Sequence, residues 1–281
     1  MTQIISGTTD IYGIIGYPVE HSFSPLMHNA AFAALEMDAR YLVFSVKPEQ
    51  LQQAVAGIRA LNISGVNVTV PHKSAVIPFL DEVTPLASKI GAVNTIKNVR
   101  GHLTGTNTDI SGFVRSLSDL KFSPKNKTIA LLGAGGSARA VLAGLADAGA
   151  SCIMIHNRTA ERAESLVSEF SDNFPETQLE SVSMETVLET PVDLLVNSTT
   201  VGMHSDASPL DLNHAEKIEN VVDLIYSPAK TRLLMQAEEL GIPALNGLGM
   251  LLHQGCDAFT FWTGKSAPET VMREQLLNRF E

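Results

Sequence analysis

Short apolar runs alternate with longer amphipathic segments along the first part of the chain. The runs are rich in β-branched and aromatic residues, which predicts buried strands, whereas the segments between them have the spacing of helices. The predicted strands are 11–16, 41–46, 66–70 and 92–96, and the predicted helices are 27–35 and 49–61. This alternation is typical of a mainly parallel sheet covered by helices, an α/β fold.

A second α/β series follows a predicted helix at 109–120 and a polar linker at 122–126. Its predicted strands are 127–132, 152–156, 194–197 and 220–225, and its predicted helices are 138–148, 231–240, 249–262 and 268–280. Periodicity alone leaves open whether the last two helices close this second domain or return to the first.

A glycine-rich turn joins the strand at 127–132 to the helix that follows it. Its residues are Gly133, Ala134, Gly135, Gly136, Ser137 and Ala138. Strand, glycine turn, helix and strand form the unit that places a dinucleotide pyrophosphate at a helix N-terminus, where free N–H groups favour negative charge. A tight turn without a ligand would use the same glycines, so the motif alone is a weak signal.

The residues after the next strand indicate which dinucleotide binds. A fold that prefers NAD carries an acidic residue there, which binds the ribose hydroxyl. This chain carries Asn157, Arg158 and Thr159, with Arg162 one helical turn later. A guanidinium and a hydroxyl can bind a ribose 2′-phosphate, so the sequence predicts NADP. The alternative is a solvated arginine beside Thr159 as a helix N-cap.

Composition and charge exclude several classes of protein. The 281 residues are 44% hydrophobic and 18% charged, as expected of a globular chain with one large or two ordinary domains. The net charge of −10 disfavours nonspecific binding to nucleic acid or anionic membranes. Cys152 and Cys256 offer no disulfide framework, and no targeting or membrane segment is recognisable, so we expect a cytoplasmic protein. The spacing of His21, His28 and His72 matches no strong ligand pattern, so we expect no metal.

The chain resembles the shikimate dehydrogenases along nearly its whole length. The resemblance rests on the glycine turn, on Asn157-Arg158-Thr159 and on further motifs that occur in order, at residues 21–29, 65–73, 91–95, 105–112, 197–203 and 246–254. Each motif is modest alone, but their joint presence is specific.

The resemblance implies reduction of 3-dehydroshikimate to shikimate with NADPH, a step in the biosynthesis of chorismate and the aromatic amino acids. It implies a discontinuous substrate-binding catalytic domain (residues 1–108 and 247–281) and a Rossmann-like NADP-binding domain (109–246), with the active site in the cleft between them. One small departure is Ser137, where many relatives have alanine, and its hydroxyl can donate to phosphate. We expect a monomer or homodimer whose only partner is its small-molecule substrate.

Lys73 and Asp109 are the candidate catalytic residues. Lys73 follows a strand and Pro71, so we expect it in the first turn of a helix at the strand's C-terminal end, where ligands gather in α/β sheets. Its ammonium can protonate the alkoxide left by ketone reduction, and the amine can take the proton back. Asp109 can orient the lysine and bind a substrate hydroxyl, although an aspartate at a helix start is also a good N-cap.

Shikimate carries a carboxylate and three hydroxyls, so it needs short polar side chains at fixed positions. Ser22 and Ser24 can donate to the carboxylate, as they do in relatives, although Ser-x-Ser-Pro alone would indicate a turn or a helix cap. The hydroxyls are assigned to Thr69, Asn94, Asp109, Tyr226 and Gln254, with Asn67 as a weaker candidate. Further cofactor contacts implied by the resemblance are Thr199, Met203, Leu224, Gly247 and Met250. Arg139 faces either phosphate or solvent.

Two other functions remain open at this point. The first is a quinate dehydrogenase or a dual quinate/shikimate dehydrogenase; such relatives often use NAD and lack the arginine that stands here at position 158. The second is an NADP-binding sensor that has lost turnover. A sensor could dispense with Lys73 and Asp109, whose presence disfavours it.

Overall fold

The computed structural model describes residues 5–215 and 217–279. Its backbone contacts divide the chain into two compact units. The first unit is Met1–Gly112 with Leu251–Glu281, and the second unit is Phe113–Met250. The boundaries expected from the sequence, after 108 and 246, lie four residues earlier in each case.

The first unit is built on a six-stranded mixed sheet. The strands are β1 (Asp10–Gly16), β2 (Ala39–Ser45), β3 (Gly65–Val68), β4 (Glu82–Val83), β5 (Thr95–Val99) and β6 (His102–Thr106), in the order β2-β1-β3-β5-β6-β4. β1 pairs in parallel with β2 and β3, whereas β5 runs antiparallel to both β3 and β6. The helices around them are α1 (Ser24–Ala34), α2 (Leu51–Ala60), α3 (Pro85–Ile90) and α4 (Asp109–Ser116).

The sequence missed the β5–β6 hairpin and placed a strand at 92–96 instead. The turn between the two strands consists of Arg100 and Gly101, with φ angles of 54° and 88°. Two consecutive left-handed residues form the two-residue turn that matches the twist of antiparallel strands. An arginine rarely takes this conformation. Arg-Gly is therefore not recognised as a hairpin turn in the way that Asn-Gly or Asp-Gly would be.

The second unit contains a six-stranded sheet in which every pair is parallel. Its strands are β7 (Thr128–Leu132), β8 (Cys152–His156), β9 (Gln178–Ser181), β10 (Leu194–Asn197), β11 (Val221–Asp223) and β12 (Ala244–Leu245). Its helices are α5 (Gly136–Asp147), α6 (Ala160–Ser171), α7 (Met184–Glu189) and α8 (Arg232–Glu239). The order β9-β8-β7-β10-β11-β12 is the 3-2-1-4-5-6 order of the Rossmann fold, with its switch point between β7 and β10. The predicted Rossmann-like fold is confirmed.

The last two helices are α9 (Leu248–Thr263) and α10 (Glu269–Leu277). Residues of both from Leu251 onward belong to the first unit, where Trp262 donates its indole N–H to the carbonyl of Ile96 at 2.9 Å. Phe259 packs against Phe32 of α1, with ring centroids 5.5 Å apart. None of the helices within 5–215 and 217–279 is long and apolar enough to cross a membrane.

His28 of α1 is a buried histidine without a polar contact. Its ring is fully buried and stacks on Tyr41, with centroids 4.5 Å apart. Neither ring nitrogen has a hydrogen-bond partner among the described residues. Burial lowers the pKa of His28 from 6.5 to about 3, because the charged ring would lose its hydration without gaining a partner.

We expect His28 to make the protein less stable in mild acid. Below pH 6.5 the unfolded chain binds a proton at this histidine, whereas the folded chain does not until about pH 3. Stability is therefore lost as the pH falls through this window, by about 2 kcal/mol at pH 5. Urea unfolding at pH 8 and pH 5 measures the loss. His28→Phe keeps a stacked ring but cannot titrate, so its loss should be smaller by that amount, and an equal loss in both proteins would contradict the assignment.

Candidate active site

Lys73 and Asp109 form a buried ion pair in the first unit. The Lys73 Nζ lies 2.7 Å from Asp109 Oδ2, and the two side chains are only 11% and 8% exposed. A pair this well shielded gains little net stability, because the loss of hydration offsets the attraction between the charges. Its position after β3 and at the start of α4 therefore favours a chemical role over a purely structural one.

The helix expected to begin at Lys73 does not form, and that prediction was wrong. Residues 73–76 form turns that lead into a 3₁₀ turn, Ile77–Phe79. Pro78 lacks the N–H that an α-helix would need at that position. The Lys73 carbonyl instead accepts a hydrogen bond from the N–H of Val93 at 2.8 Å. This bond fixes the Lys73 backbone beside the segment that leads into β5.

Both carboxylate oxygens of Asp109 accept hydrogen bonds from side chains. Oδ2 accepts from Lys73, and Oδ1 accepts from Asn94 Nδ2 at 2.8 Å. The backbone N–H of Asp109 donates to Asn107 Oδ1 at 3.0 Å, so Asn107 serves the helix start. Asp109 is thus arranged as a partner of Lys73 rather than as a helix cap.

Apart from the two serines, the other predicted substrate residues of the first unit lie in three places. Asn94 is buried and contacts Asp109, and Asn67, which is also buried, donates to the Asn94 carbonyl at 3.3 Å. Thr69 follows β3 and packs its methyl group against Gly16, where a Cβ would collide with it. Gln254 of α9 lies against Gly112, one turn after Asp109 in α4, where an added Cβ would be 2.7 Å from the Gln254 Cβ.

Ser22 and Ser24 stand at the beginning of α1. Ser24 is the first residue of the helix and is buried, and its N–H donates to Ser22 Oγ at 3.3 Å. The N-cap position belongs to Phe23, and the Ser22 hydroxyl, one residue earlier, satisfies the first N–H of the helix. Tyr226, the remaining predicted substrate residue, is part of the second unit, where burial raises the pKa of its phenol.

The glycine turn of the second unit has the form of an anion cradle. Gly133 has a φ of 107°, and a Cβ there would lie 2.6 Å from Ser198 Oγ. Gly135 is the N-cap of α5, and a Cβ there would meet nothing within 4 Å. The turn is thus open at Gly135, directly before the first N–H groups of α5, and a helix N-terminus of this kind favours an anion.

In the segment after β8, the Arg158 guanidinium and the Thr159 hydroxyl are available to a ligand. Thr159 occupies the N-cap position of α6, but its side chain makes no cap hydrogen bond. Asn157 Nδ2 donates to the Thr159 carbonyl at 2.7 Å and orders the turn. Arg158, Thr159 and Arg162 are all exposed. The Thr159 side chain is therefore not a helix cap, and the exposed Arg158 guanidinium is accessible to a ligand from solution.

Arg139 faces neither phosphate nor open solvent. It forms an ion pair with Glu169 of α6, and its guanidinium lies 5.2 Å from the centre of the Phe170 ring. The hydrogen bond from Arg139 lowers the pKa of Glu169. Arg139 therefore ties α5 to α6.

A buried carboxylate that the sequence analysis missed joins the ends of β10 and β11. Asp223 Oδ1 accepts from Asn197 Nδ2 at 3.0 Å, and its Oδ2 accepts from the Thr231 hydroxyl at 2.6 Å. Burial raises the pKa of Asp223, and these hydrogen bonds oppose the rise. Asn197 Oδ1 in turn accepts from the Thr199 hydroxyl at 2.7 Å. The loop that carries Thr199 and Met203 is thereby held at the sheet's switch point.

The remaining predicted cofactor residues lie near the end of β11 and in α9. Gly247 approaches Leu224 so closely that a Cβ would collide with the Leu224 carbonyl oxygen. Met250 is half-buried, in the first turns of α9. No cluster of three or more metal-ligating side chains exists within the described ranges. His72, one of the histidines near the motifs, is instead bonded through Nε2 to the Val46 carbonyl at 2.7 Å.

Three family models match successive parts of this chain. The family model for the shikimate dehydrogenase substrate binding domain matches residues 14–96. The model for shikimate/quinate 5-dehydrogenase matches residues 116–222, and the model for the shikimate 5′-dehydrogenase C-terminal domain matches residues 247–277.

Individual relatives match over nearly the whole length. A shikimate dehydrogenase (NADP+) from Geobacter metallireducens is 47% identical, over 97% of this chain and 98% of its own. The crystal structure of a shikimate dehydrogenase in complex with NADP+ superposes with a TM-score of 0.91 at 39% identity, covering 99% of this chain and 98% of the other. The shikimate 5-dehydrogenase of Thermus thermophilus, in complex with NADP(H) and shikimate, gives a TM-score of 0.87 at 37% identity, over 96% and 99% of the two chains. Identity of this extent over complete chains shows that the chain belongs to the shikimate dehydrogenase family of NADP-dependent oxidoreductases.

Proposed function

We propose that the chain catalyses the reversible reduction of 3-dehydroshikimate to shikimate with NADPH, in the biosynthesis of chorismate and the aromatic amino acids. The observation that carries the proposal is the buried pair of Lys73 and Asp109, 2.7 Å apart. An ammonium held by a carboxylate is suited to exchanging a proton with the oxygen of a carbonyl or an alcohol. The family's relatives, which are named for shikimate and NADP+, support the same assignment.

Lys73 is the proposed acid and base. Bound NADPH supplies the hydride that reduces the carbonyl carbon. Lys73 Nζ then gives its proton to the oxygen as negative charge develops there, and in the oxidative direction it takes the proton back. Asp109 holds the lysine by Oδ2, and its own position is set by the hydrogen bond from Asn94 to Oδ1. The overall exchange is one hydride and one proton added to the ketone.

The second unit is proposed to bind NADPH. The residues that would hold the pyrophosphate, at the N-terminus of α5, are Gly133, Ala134, Gly135, Gly136, Ser137 and Ala138. Those that would hold the 2′-phosphate are Arg158 with Asn157, Thr159 and Arg162. Those that would border the nicotinamide are Thr199, Met203, Leu224, Gly247 and Met250. The open space at Gly135 and the exposed Arg158 support this arrangement.

The substrate is proposed to bind by its carboxylate to Ser22 and Ser24. Its hydroxyls are assigned to Thr69, Asn94, Asp109, Tyr226 and Gln254. Asn67 stays the weaker candidate; its buried amide is bonded to Tyr41, Asn94 and Thr95, and unlike Asn94 it makes no bond to Asp109. The assignment requires a ligand that is anionic at one end and rich in hydroxyls, as shikimate is.

We expect Ser22→Ala and Ser24→Ala to raise KM for shikimate about tenfold or more, with little change in kcat. A hydrogen bond to a charged group contributes roughly 1.5–3 kcal/mol, and a carboxylate that takes no part in the bond changes is bound alike in the ground and transition states. Steady-state kinetics measures both constants. Ser116→Ala, which removes a buried hydroxyl bonded to the Phe113 carbonyl, is the matched control. A large fall in kcat at unchanged KM would argue against carboxylate binding.

The proposed function is tested by NADPH oxidation with 3-dehydroshikimate, run beside NADP+ reduction with shikimate and with quinate. We expect efficient turnover of the first two substrates and poor use of quinate, whose extra ring hydroxyl crowds the two serines. Efficient quinate oxidation would favour a dual dehydrogenase. Tight NADPH binding without turnover of any of these substrates would favour a sensor.

A further inference from the structure

The side-chain amide of Asn94 has one possible orientation. Its Oδ1 lies 2.7 Å from the backbone N–H of Thr108, which can only donate. Its Nδ2 lies 2.8 Å from the Asp109 carboxylate, which accepts. The amide oxygen therefore faces Thr108 and the amide NH2 faces Asp109. Any group that holds this amide in place also holds the carboxylate.

The Thr95 hydroxyl is such a group. It lies 2.9 Å from Asn94 Oδ1 and 3.1 Å from Asn67 Nδ2, and Thr95 is fully buried at the start of β5. The Asn67 NH2 can only donate, so the Thr95 oxygen is the acceptor in that bond. The single hydroxyl proton of Thr95 is then directed at Asn94 Oδ1. A contact with the Thr108 hydroxyl, at 3.3 Å, is longer.

Asn67 is itself oriented from the opposite side. Its Oδ1 accepts from the Tyr41 hydroxyl at 2.7 Å, and its Nδ2 also donates to the Asn94 carbonyl at 3.3 Å. Burial raises the pKa of Tyr41 well above its usual value, although a hydrogen bond from Ser24 acts in the opposite direction. The phenol thus stays protonated and remains a donor. The hydrogen bonds therefore run in one direction, from Tyr41 through Asn67, Thr95 and Asn94.

We propose that Thr95 is a positioning residue for the reaction. Its hydroxyl fixes the Asn94 amide, Asn94 fixes Asp109, and Asp109 holds the Lys73 ammonium in the orientation that proton transfer needs. The inference rests on the proposed function of Lys73 and Asp109. Since Thr95 has no exposed surface, it can act on the substrate only through its neighbours. Without the Thr95 hydroxyl, Asn94 Oδ1 still accepts hydrogen bonds from the N–H and the hydroxyl of Thr108. Removing the Thr95 hydroxyl should therefore make the position of the Asp109 carboxylate less well fixed, but the carboxylate should keep its bond to Asn94.

The test compares Thr95→Val, which keeps the shape of the side chain, with Thr95→Ser, which keeps the hydroxyl. We expect Thr95→Val to lower kcat for 3-dehydroshikimate about three- to tenfold, the effect of one weakened hydrogen bond, with KM for NADPH unchanged. Thr95→Ser should stay within about twofold of the wild type. The matched control is Thr177→Val in the second unit, which removes another buried hydroxyl, bonded to the Ala150 carbonyl, and should leave kcat unchanged. If Thr95→Val does not fold, Thr95→Cys, with its weaker hydrogen bonds, should show a smaller loss in the same direction.

A double-mutant cycle separates positioning from general weakening of the fold. If Thr95 acts through the carboxylate, adding Thr95→Val to Asp109→Asn should change kcat less than about twofold, because the two residues serve one interaction. Two results would overturn the inference. One is a kcat of Thr95→Val equal to that of Thr177→Val. The other is a fall in kcat on adding Thr95→Val to Asp109→Asn that is as large as the fall in the wild type. Normal turnover in Lys73→Met would instead overturn the proposed function, whatever Thr95 does.

Discussion

Lys73→Met is expected to lower kcat for 3-dehydroshikimate by roughly two to four orders of magnitude, the range for a positioned general acid. Methionine keeps most of the length of the side chain but has neither a proton nor a charge to offer. The lysine's contribution is greatest in the transition state, when negative charge has grown on the carbonyl oxygen. The loss should therefore fall on kcat more than on KM.

NADPH affinity should barely change in this variant, because Lys73 belongs to the first unit and the glycine turn to the second. Fluorescence titration of the bound nicotinamide measures that affinity directly. Lys127→Met is the control, since Lys127 and Asp193 form a lysine–aspartate pair of similar distance, 2.6 Å, that is more exposed and lies just before β7 in the second unit. It should leave kcat unaltered. Near-normal turnover in Lys73→Met would refute the acid–base role and revive the interpretation of the chain as a sensor.

Lys73→Met should also lower the free energy of unfolding, because it leaves the Asp109 carboxylate buried without its cation. Breaking a buried pair from one side typically costs about 3–5 kcal/mol. The double variant Lys73→Met/Asp109→Asn removes both charges, so most of this loss should be recovered while turnover stays low. Unfolding curves of the single and double variants distinguish a catalytic loss from a folding loss.

The fold could be predicted from the sequence where an apolar run by itself marks a buried strand of a parallel sheet. The strand at 152–156 and the strand at 194–197 match β8 and β10 at both ends, because each is an apolar run in a parallel sheet buried on both faces. The hairpin turn at Arg100 and Gly101 and the turn at Lys73 could not be predicted in this way. The first depends on a residue type that rarely adopts positive φ, and the second on a hydrogen bond to Val93, twenty residues away along the chain.

In the candidate site, too, some residues could be predicted from the sequence and others could not. Lys73, Asp109 and Asn94 could be named because they stand in motifs with known chemistry, and the structure brings these three together. Thr95 stands in the motif at 91–95 but has no assigned chemistry there, and Asp223 is a single polar residue at the end of a strand. Their importance comes from hydrogen bonds to partners on other strands and loops. Periodicity cannot reveal such bonds.

Arg158 is expected to determine the preference for NADP+ over NAD+. Arg158→Ala is expected to weaken NADP+ binding about ten- to 150-fold, because a charge-assisted hydrogen bond to phosphate contributes roughly 1.5–3 kcal/mol. NAD+ lacks the 2′-phosphate, so its affinity should stay nearly the same.

Arg158 is exposed, so its attraction to phosphate is screened by salt, and the difference between the two cofactors should shrink as ionic strength rises. Arg158→Lys keeps the charge but loses the planar fork that can bind two phosphate oxygens, so it should fall between the wild type and alanine. Calorimetric titration of each variant with NADP+ and NAD+, at low and high salt, gives all the affinities needed. An equal loss for both cofactors would show that Arg158 serves the turn between β8 and α6, whereas a loss confined to NADP+ would assign the 2′-phosphate to this guanidinium.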